Sequence, residues 1–252
     1  IHRKKWAPAR LERLRIMMAD HPESTQKELK EALCDRSGTI RNFARFHLKQ
    51  HADINVEALY QSKLNSDTIS ERITALYGLH EIGSSVIAEL VEKWLDDPNP
   101  RVVAAALHVS PAAVTKKRED FILSLITSNS PQVSKAAYAG LCKELPLVDK
   151  ILIHFEKGNL TERHSMYFAN LLLLQRKWVS AAQAIKLCRH QLDVVQKCGI
   201  YWLQGLIYGQ RRSWLNPSKQ DLQSIDFELE KSSAFMTEQL AEEVRFLLNS
   251  YR

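Results

Sequence analysis

Glycine and proline are scarce. Each occurs 8 times in 252 residues, about 3% apiece against the roughly 7% and 5% of average usage. So few turn-formers exclude a sandwich or barrel of many short strands. Cysteine is rarer still: Cys34, Cys142, Cys188 and Cys198 include no CxxC pair, which argues against a zinc or dithiol motif and for a reducing compartment. No apolar stretch approaches the ~20 residues of a membrane-spanning helix. GxGxxG, Walker, GxSxG and HExxH patterns are missing, so no cofactor is expected. Net charge is missing from most of the chain, because residues 51–252 carry 23 Lys/Arg and 23 Asp/Glu. What remains is 45% hydrophobic and 25% charged, the composition of a packed soluble protein.

The whole excess of +6 lies in the first 50 residues, with 12 Lys/Arg against 6 Asp/Glu. Arg3, Lys4, Lys5, Arg10, Arg13 and Arg15 face only Glu12. Such a cluster suits phosphate, anionic lipid or an acidic protein, or it is a solvated helix face.

A 31-residue period runs through the chain. Stepping by 31 links Ala44, Ala75, Ala106 and Ala137, and likewise Leu48, Leu79, Ser110, Leu141, Leu172 and Leu203. A second stretch repeats Leu29, Tyr60, Val91, Ile122, Ile153 and Ala184, preceded by Leu59, Leu90, Phe121 and Leu152. A third column holds Leu33, Leu64, Leu95 and Ile126. Spacings of four within each stretch put these residues on one helical face. Breaks such as Asn65-Ser66-Asp67 and Asp96-Asp97-Pro98-Asn99-Pro100 separate the stretches. Each unit therefore reads as two antiparallel helices of about ten to twelve residues. Such a pair buries its apolar face only by stacking on the next pair, and the small alanines let successive first helices approach closely.

Asp97-Pro98-Asn99-Pro100-Arg101-Val102-Val103-Ala104-Ala105-Ala106-Leu107 resembles the HEAT-repeat pattern of Asp, Pro, Val, often Arg, then Ala and Leu. Asp35 with Ile40, Arg41 and Ala44, Arg72 with Ala75, and Ser130-Pro131-Gln132-Val133 with Ala137 are further copies. The period is close to the short HEAT-like repeats of phycobilin lyases and bacterial adaptor proteins. The likeness covers about residues 24–175 and departs where Phe168 replaces the alanine, where Lys157 and Gln183 enter apolar columns, and where Arg is absent at positions 103 and 134. It implies an all-α, right-handed α-solenoid of about six to seven antiparallel helix pairs with helical caps at both ends.

On this reading residues 1–22 form an N-terminal capping helix with the basic cluster, started by Pro8 and carrying Leu11, Leu14 and Met17-Met18. Residues 23–208 form the repeat array. Residues 209–252 form a loop and capping helices at about 219–231 and 233–250, the last with Phe235, Leu240, Val244 and Leu247-Leu248 on its apolar face.

Converging catalytic groups are few. His47 and His51 lie four apart, a possible two-ligand metal face without a recognisable third ligand; helix-surface histidines are the simpler account and no metal is expected. Asp96-Asp97 fits turn chemistry, Glu119-Asp120 a solvated face. The resemblance also admits an enzyme, either a DNA alkylation-repair glycosylase or a chromophore lyase. For the first, Trp94, Trp178 and Trp202 would have to line a basic groove, yet they sit among apolar columns and the array lacks the cations that phosphates require. Nucleic acid is therefore disfavoured, and no catalytic residue is assigned.

The expected function is a non-enzymatic protein-interaction scaffold or adaptor working through the concave face, which HEAT-like arrays form mainly from second helices. Its candidate residues are Glu89, Glu92, Lys93, Glu119, Asp120, Lys150 and His154, whose mixed charge suits another protein as partner. Trp214 beside Arg211 and Arg212 is a hot-spot candidate in a loop. Arg3, Lys4, Lys5, Arg10 and Arg13 are candidates for contact with an anionic membrane surface. The opening Ile1-His2-Arg3-Lys4-Lys5-Trp6 joins positive charge to Trp as at a membrane boundary. A cytoplasmic protein is expected, either tethered by an N-terminal segment absent from this chain or preceded by some other trimmed segment.

Overall fold

The computed structural model describes residues 6–21, 25–51, 53–157, 159–209 and 216–251. Among them every regular element is a helix. The chain divides into two compact units, Ile1–Val114 and Thr115–Arg252.

The first unit holds α1 (Ala7–Asp20), α2 (Gln26–Ala32), α3 (Gly38–Leu48), α4 (Val56–Lys63), α5 (Ile69–Glu81), α6 (Ile87–Trp94) and α7 (Pro100–Val109), and a short α8 (Ala112–Lys117) runs across its end. Within it α2 packs on α3, α4 on α5 and α6 on α7, while α1 touches α3 and α5 touches α7. The second unit holds α9 (Glu119–Leu125), α10 (Pro131–Leu141), α11 (Val148–Phe155), α12 (Glu162–Leu173), α13 (Lys177–Leu187), α14 (Asp193–Ile207), α15 (Lys219–Ser232) and α16 (Glu238–Asn249). There α9 packs on α10, α11 on α12 and α13 on α14, and α10, α12, α14 and α16 each touch the next.

The 31-residue period has a polar origin as well as an apolar one. Asp35, Ser66, Asp97 and Ser128 stand one period apart, and each side chain accepts the backbone N–H two residues on, at 2.8, 3.1, 2.7 and 3.2 Å. That bond tightens the turn. It delivers the chain to Ser37, Thr68, Asn99 and Ser130, which with Thr161 are the N-cap residues of α3, α5, α7, α10 and α12, all extended in backbone. Pro100 and Pro131 then occupy first-turn positions where the missing N–H costs nothing. Because these turns take up residues, the second helices α2, α4, α6, α9 and α11 are only 7 or 8 residues long, shorter than the periodicity predicts.

Ala44, Ala75, Ala106 and Ala137 are each 0% exposed, and Leu48, Leu79, Leu141, Leu172 and Leu203 are equally buried. Phe168 and Gly199 continue the alanine column, both buried. A Cβ on Gly199 would lie 2.4 Å from the Ala184 carbonyl, so α14 rests directly on the backbone of α13. Ser110 is the exception in its column: it caps α7, half-buried, where the short α8 intervenes.

One column is corrected. Ile153 does not continue Leu29, Tyr60, Val91 and Ile122; it is 59% exposed, and Ile151 and Phe155 are the buried residues of α11. Counted between buried positions, Leu141 to Ile151 is ten residues where Leu48 to Tyr60 and Leu79 to Val91 are twelve, and the turn from Phe155 to the cap Thr161 is six where Leu95 to Asn99 is four. That turn includes Asn159 at φ 56, a left-handed conformation that Asn tolerates. The register is thus lost in one helix and restored at Thr161. A second correction concerns Phe235, which is 54% exposed. It lies in a 3-10 turn ahead of α16, whose start is fixed by Thr237, while Leu240, Val244 and Leu248 are buried as expected.

The glycine contact yields a stability test. Gly199→Ala should destabilise by about 1–3 kcal/mol, because backbone cannot yield as a flexible side chain would. Ser224→Ala, at an exposed position of α15, should stay within about 0.5 kcal/mol. Urea unfolding of the two variants compares them directly.

Candidate functional site

The arginine column shows how the first unit builds a charged site. Arg10, Arg41 and Arg72 stand one period apart, and their natural partners are the turn acids 25 residues on. Arg10 grips Asp35 with two bonds of 2.8 Å, and Arg72 comes within 4.0 Å of Asp97. For Arg41 that position is Ser66, whose hydroxyl donates to Glu71 at 2.6 Å. Lacking its turn acid, Arg41 donates to the carbonyls of Asp35 and Arg36, at 2.7 and 3.0 Å, and pairs with Glu81.

Glu81 holds a second cation. Arg45, one turn beyond Arg41 on α3, also donates to its carboxylate and to the Tyr60 hydroxyl at 3.3 Å. Their side chains are 5% and 9% exposed, that of Glu81 26%. Local backbone places each group. Gly83, at φ 70, ends α5 in a left-handed cap with Ser84 N–H returning to the Leu79 carbonyl, which fixes Glu81 in the final turn. Gly78 makes room for Tyr60, since a Cβ there would lie 2.2 Å from the ring.

Burial pushes the Glu81 carboxyl up, and the hydrogen bonds and charges of Arg41 and Arg45 more than reverse it, leaving it below its ordinary value. Burial likewise raises the Tyr60 phenol. Two guanidiniums on one carboxylate leave the cluster with a surplus positive charge.

Above this cluster opens a cleft of about 530 Å³. Leu11 and Arg15 of α1 form one wall, Phe43, Arg45, Phe46 and Lys49 of α3 another, and Glu81 and Ile82 close the end. Phe46 is 63% exposed. The second unit has a smaller cavity of about 390 Å³ beside Phe155 and His190, whose rings stack at 5.2 Å. Its cations Lys186 and Arg189 are held by Glu156 and Glu228.

The residues singled out by sequence distribute as follows. Glu89 and Lys93 are exposed on α6 and Glu92 is half-buried. Lys150 joins Glu119 and Asp120 at 2.6 and 3.3 Å, so these three come together with one negative charge left over. His154 lies against Phe168, with burial, then Lys157, lowering its imidazole. Arg10 is committed to Asp35, whereas Arg13 is exposed. Arg3, Lys4, Lys5, Arg211, Arg212 and Trp214 lie outside the described residues. His47 packs against Phe43 and Phe46 at 4.4 and 5.1 Å, and no cluster of three or more metal-ligating side chains occurs among the described residues. Trp94, Trp178 and Trp202 are buried, the last donating to the Leu173 carbonyl at 3.1 Å. No described helix is long and apolar enough to cross a membrane.

Sequence reasoning missed Arg45, Glu81 and Phe46. The readable trace was the serine at position 66, which breaks the acid column and leaves Arg41 seeking another carboxylate. No protein-family model matches the chain, and no curated protein is significantly similar to it.

Removing the shared carboxylate should be costly. Glu81→Gln should destabilise by about 2–3 kcal/mol, less than the 3–5 of a fully buried pair because Glu81 is partly exposed. Chemical unfolding at neutral pH measures it.

Acid should act in two stages. Burial lowers the imidazoles of His47, His154, His164 and His190, and His190 Nδ1 accepts the Leu192 N–H at 3.0 Å, which needs the neutral ring. A depressed histidine contributes full stability above its unfolded value, so stability should decline as pH falls below about 6.5. The depressed Glu81, with the likewise depressed Asp35 and Glu71, adds a second loss below about pH 4.5, smaller in Glu81→Gln. Unfolding midpoints from pH 8 down to about pH 2 resolve both stages.

Proposed function

We propose that this chain is a HEAT-like α-solenoid that acts as a non-enzymatic scaffold, binding another protein. The repeat reading is supported by N-caps recurring every 31 residues, by the buried alanine column, and by the recurring pairs α2 with α3, α4 with α5, α6 with α7, α9 with α10, α11 with α12 and α13 with α14. Stacked helix pairs of this kind provide extended surfaces suited to protein partners.

The observation that carries the binding role is α11. Its two-residue slip turns Ile153 outward, with Leu147 also exposed, next to the mutually paired Lys150, Glu119 and Asp120. Apolar contacts bordered by charged and polar groups form the usual core and rim of a protein interface.

The experiment is affinity capture with the purified chain, followed by reconstitution with the purified partner and titration. Ile153→Asp should weaken that complex at least tenfold with little change in thermal midpoint, because the residue is 59% exposed. A partner bound equally well by Ile153→Asp would refute this surface, and turnover of a small substrate by the chain alone would replace the scaffold reading with an enzymatic one.

A further inference from the structure

We propose that the cleft between α1, α3 and the end of α5 is a docking groove for an acidic peptide segment of a partner protein, one in which Asp or Glu alternates with Leu or Phe. The inference stands on the first unit alone and does not depend on the surface around Ile153.

Charge supplies the first argument. The lining holds Arg15, Arg45 and Lys49 against Glu81, and Glu81 already serves both Arg41 and Arg45. The floor of the cleft therefore retains positive charge. Arg45 uses three of its five N–H groups, on Glu81, Tyr60 and Asn42; its Nε and one Nη2 proton have no acceptor among the described residues. A carboxylate arriving at this largely buried guanidinium forms charge-assisted bonds that water screens less than it would at an open surface. Arg15 and Lys49 are exposed at the rim; Lys49 steers an acidic chain and holds a further carboxylate, and Arg15 exchanges its exposed 3.4 Å pair with Glu12 for another.

Shape and apolar content identify the source of the acid. Leu11, Phe43, Phe46 and Ile82 line the same cleft, and an inorganic anion would make no use of them. A volume of about 530 Å³ holds several side chains. A bilayer surface is excluded by depth, since the 9% exposed Arg45 side chain cannot reach a headgroup plane. Three cations are too few for a nucleic-acid backbone. A peptide alternating acidic and apolar residues satisfies both halves of the lining.

The test uses the full 252-residue chain and a fluorescein-labelled twelve-residue peptide of alternating Glu/Asp and Leu/Phe, followed by anisotropy at 0.15 M salt. The acidic peptide should bind saturably in the micromolar range and lose affinity as salt rises, while the same peptide with Lys at every acidic position should not bind. Lys49→Glu should weaken binding at least tenfold and Phe46→Ser several-fold, both with unchanged helical circular dichroism. Lys135→Glu, exposed on α10, should leave it unaltered. No saturable binding to the unmodified chain, or binding indifferent to both Lys49→Glu and Phe46→Ser, overturns the proposal. So does Lys49-dependent binding to vesicles containing 30% phosphatidylserine in place of the peptide. Either result leaves the partner measurement on Ile153→Asp standing, and loss of Ile153-dependent binding leaves this groove intact.

Discussion

Backbone hydrogen bonding at the helix starts governs this molecule. Its described α-helices are 6 to 15 residues long, too short to persist in water on their own, and each start exposes N–H groups that need acceptors. The turn acids and hydroxyls at 35, 66, 97 and 128 meet part of that need and fix where the next helix begins. The apolar columns follow from that placement: with the starts set one period apart, Ala44, Ala75, Ala106 and Ala137 all fall at burial sites.

The same turns explain why charge gathers where it does. An arginine four residues beyond the cap of α5 meets the acid of the following turn, as Arg72 meets Asp97. Where Ser66 stands in that place, the equivalent cation of α3 turns to Glu81 forty residues away, and Arg45 joins it. A single polar substitution in a turn thereby converts a series of separate ion pairs into one cluster with surplus charge beneath an open cleft.

Much of the fold was legible in the sequence because its determinants repeat. The alanine and leucine columns, the buried tryptophans and the buried Cys188 follow from helical spacing alone. The column of Ser37, Thr68, Asn99, Ser130 and Thr161 was equally readable and marks the helix starts more sharply than the polar breaks do. Ile153 was misplaced because compensating changes in two flanking links leave the overall period untouched. The candidate cleft was out of reach for another reason: Glu81 and Phe46 occupy no invariant column, and their contacts are set by three-dimensional neighbours rather than by spacing. The pairing of Lys150 with Glu119 and Asp120 was likewise hidden, since sequence displays formal charge and not which groups meet.

The slip at α11 also bears on how a repeating chain can change its surface. Each residue advances an α-helix by about 100°, so moving a helix by two positions rotates it by about 200° and exchanges its inner and outer faces. No residue of the helix has to change. Shortening one link and lengthening the next is enough to bring Ile153 into solvent while Thr161 and everything after it keep their places. Paired length changes in the links are therefore a kind of variation that substitution counts do not register, and they alter one helix's chemistry without disturbing its neighbours.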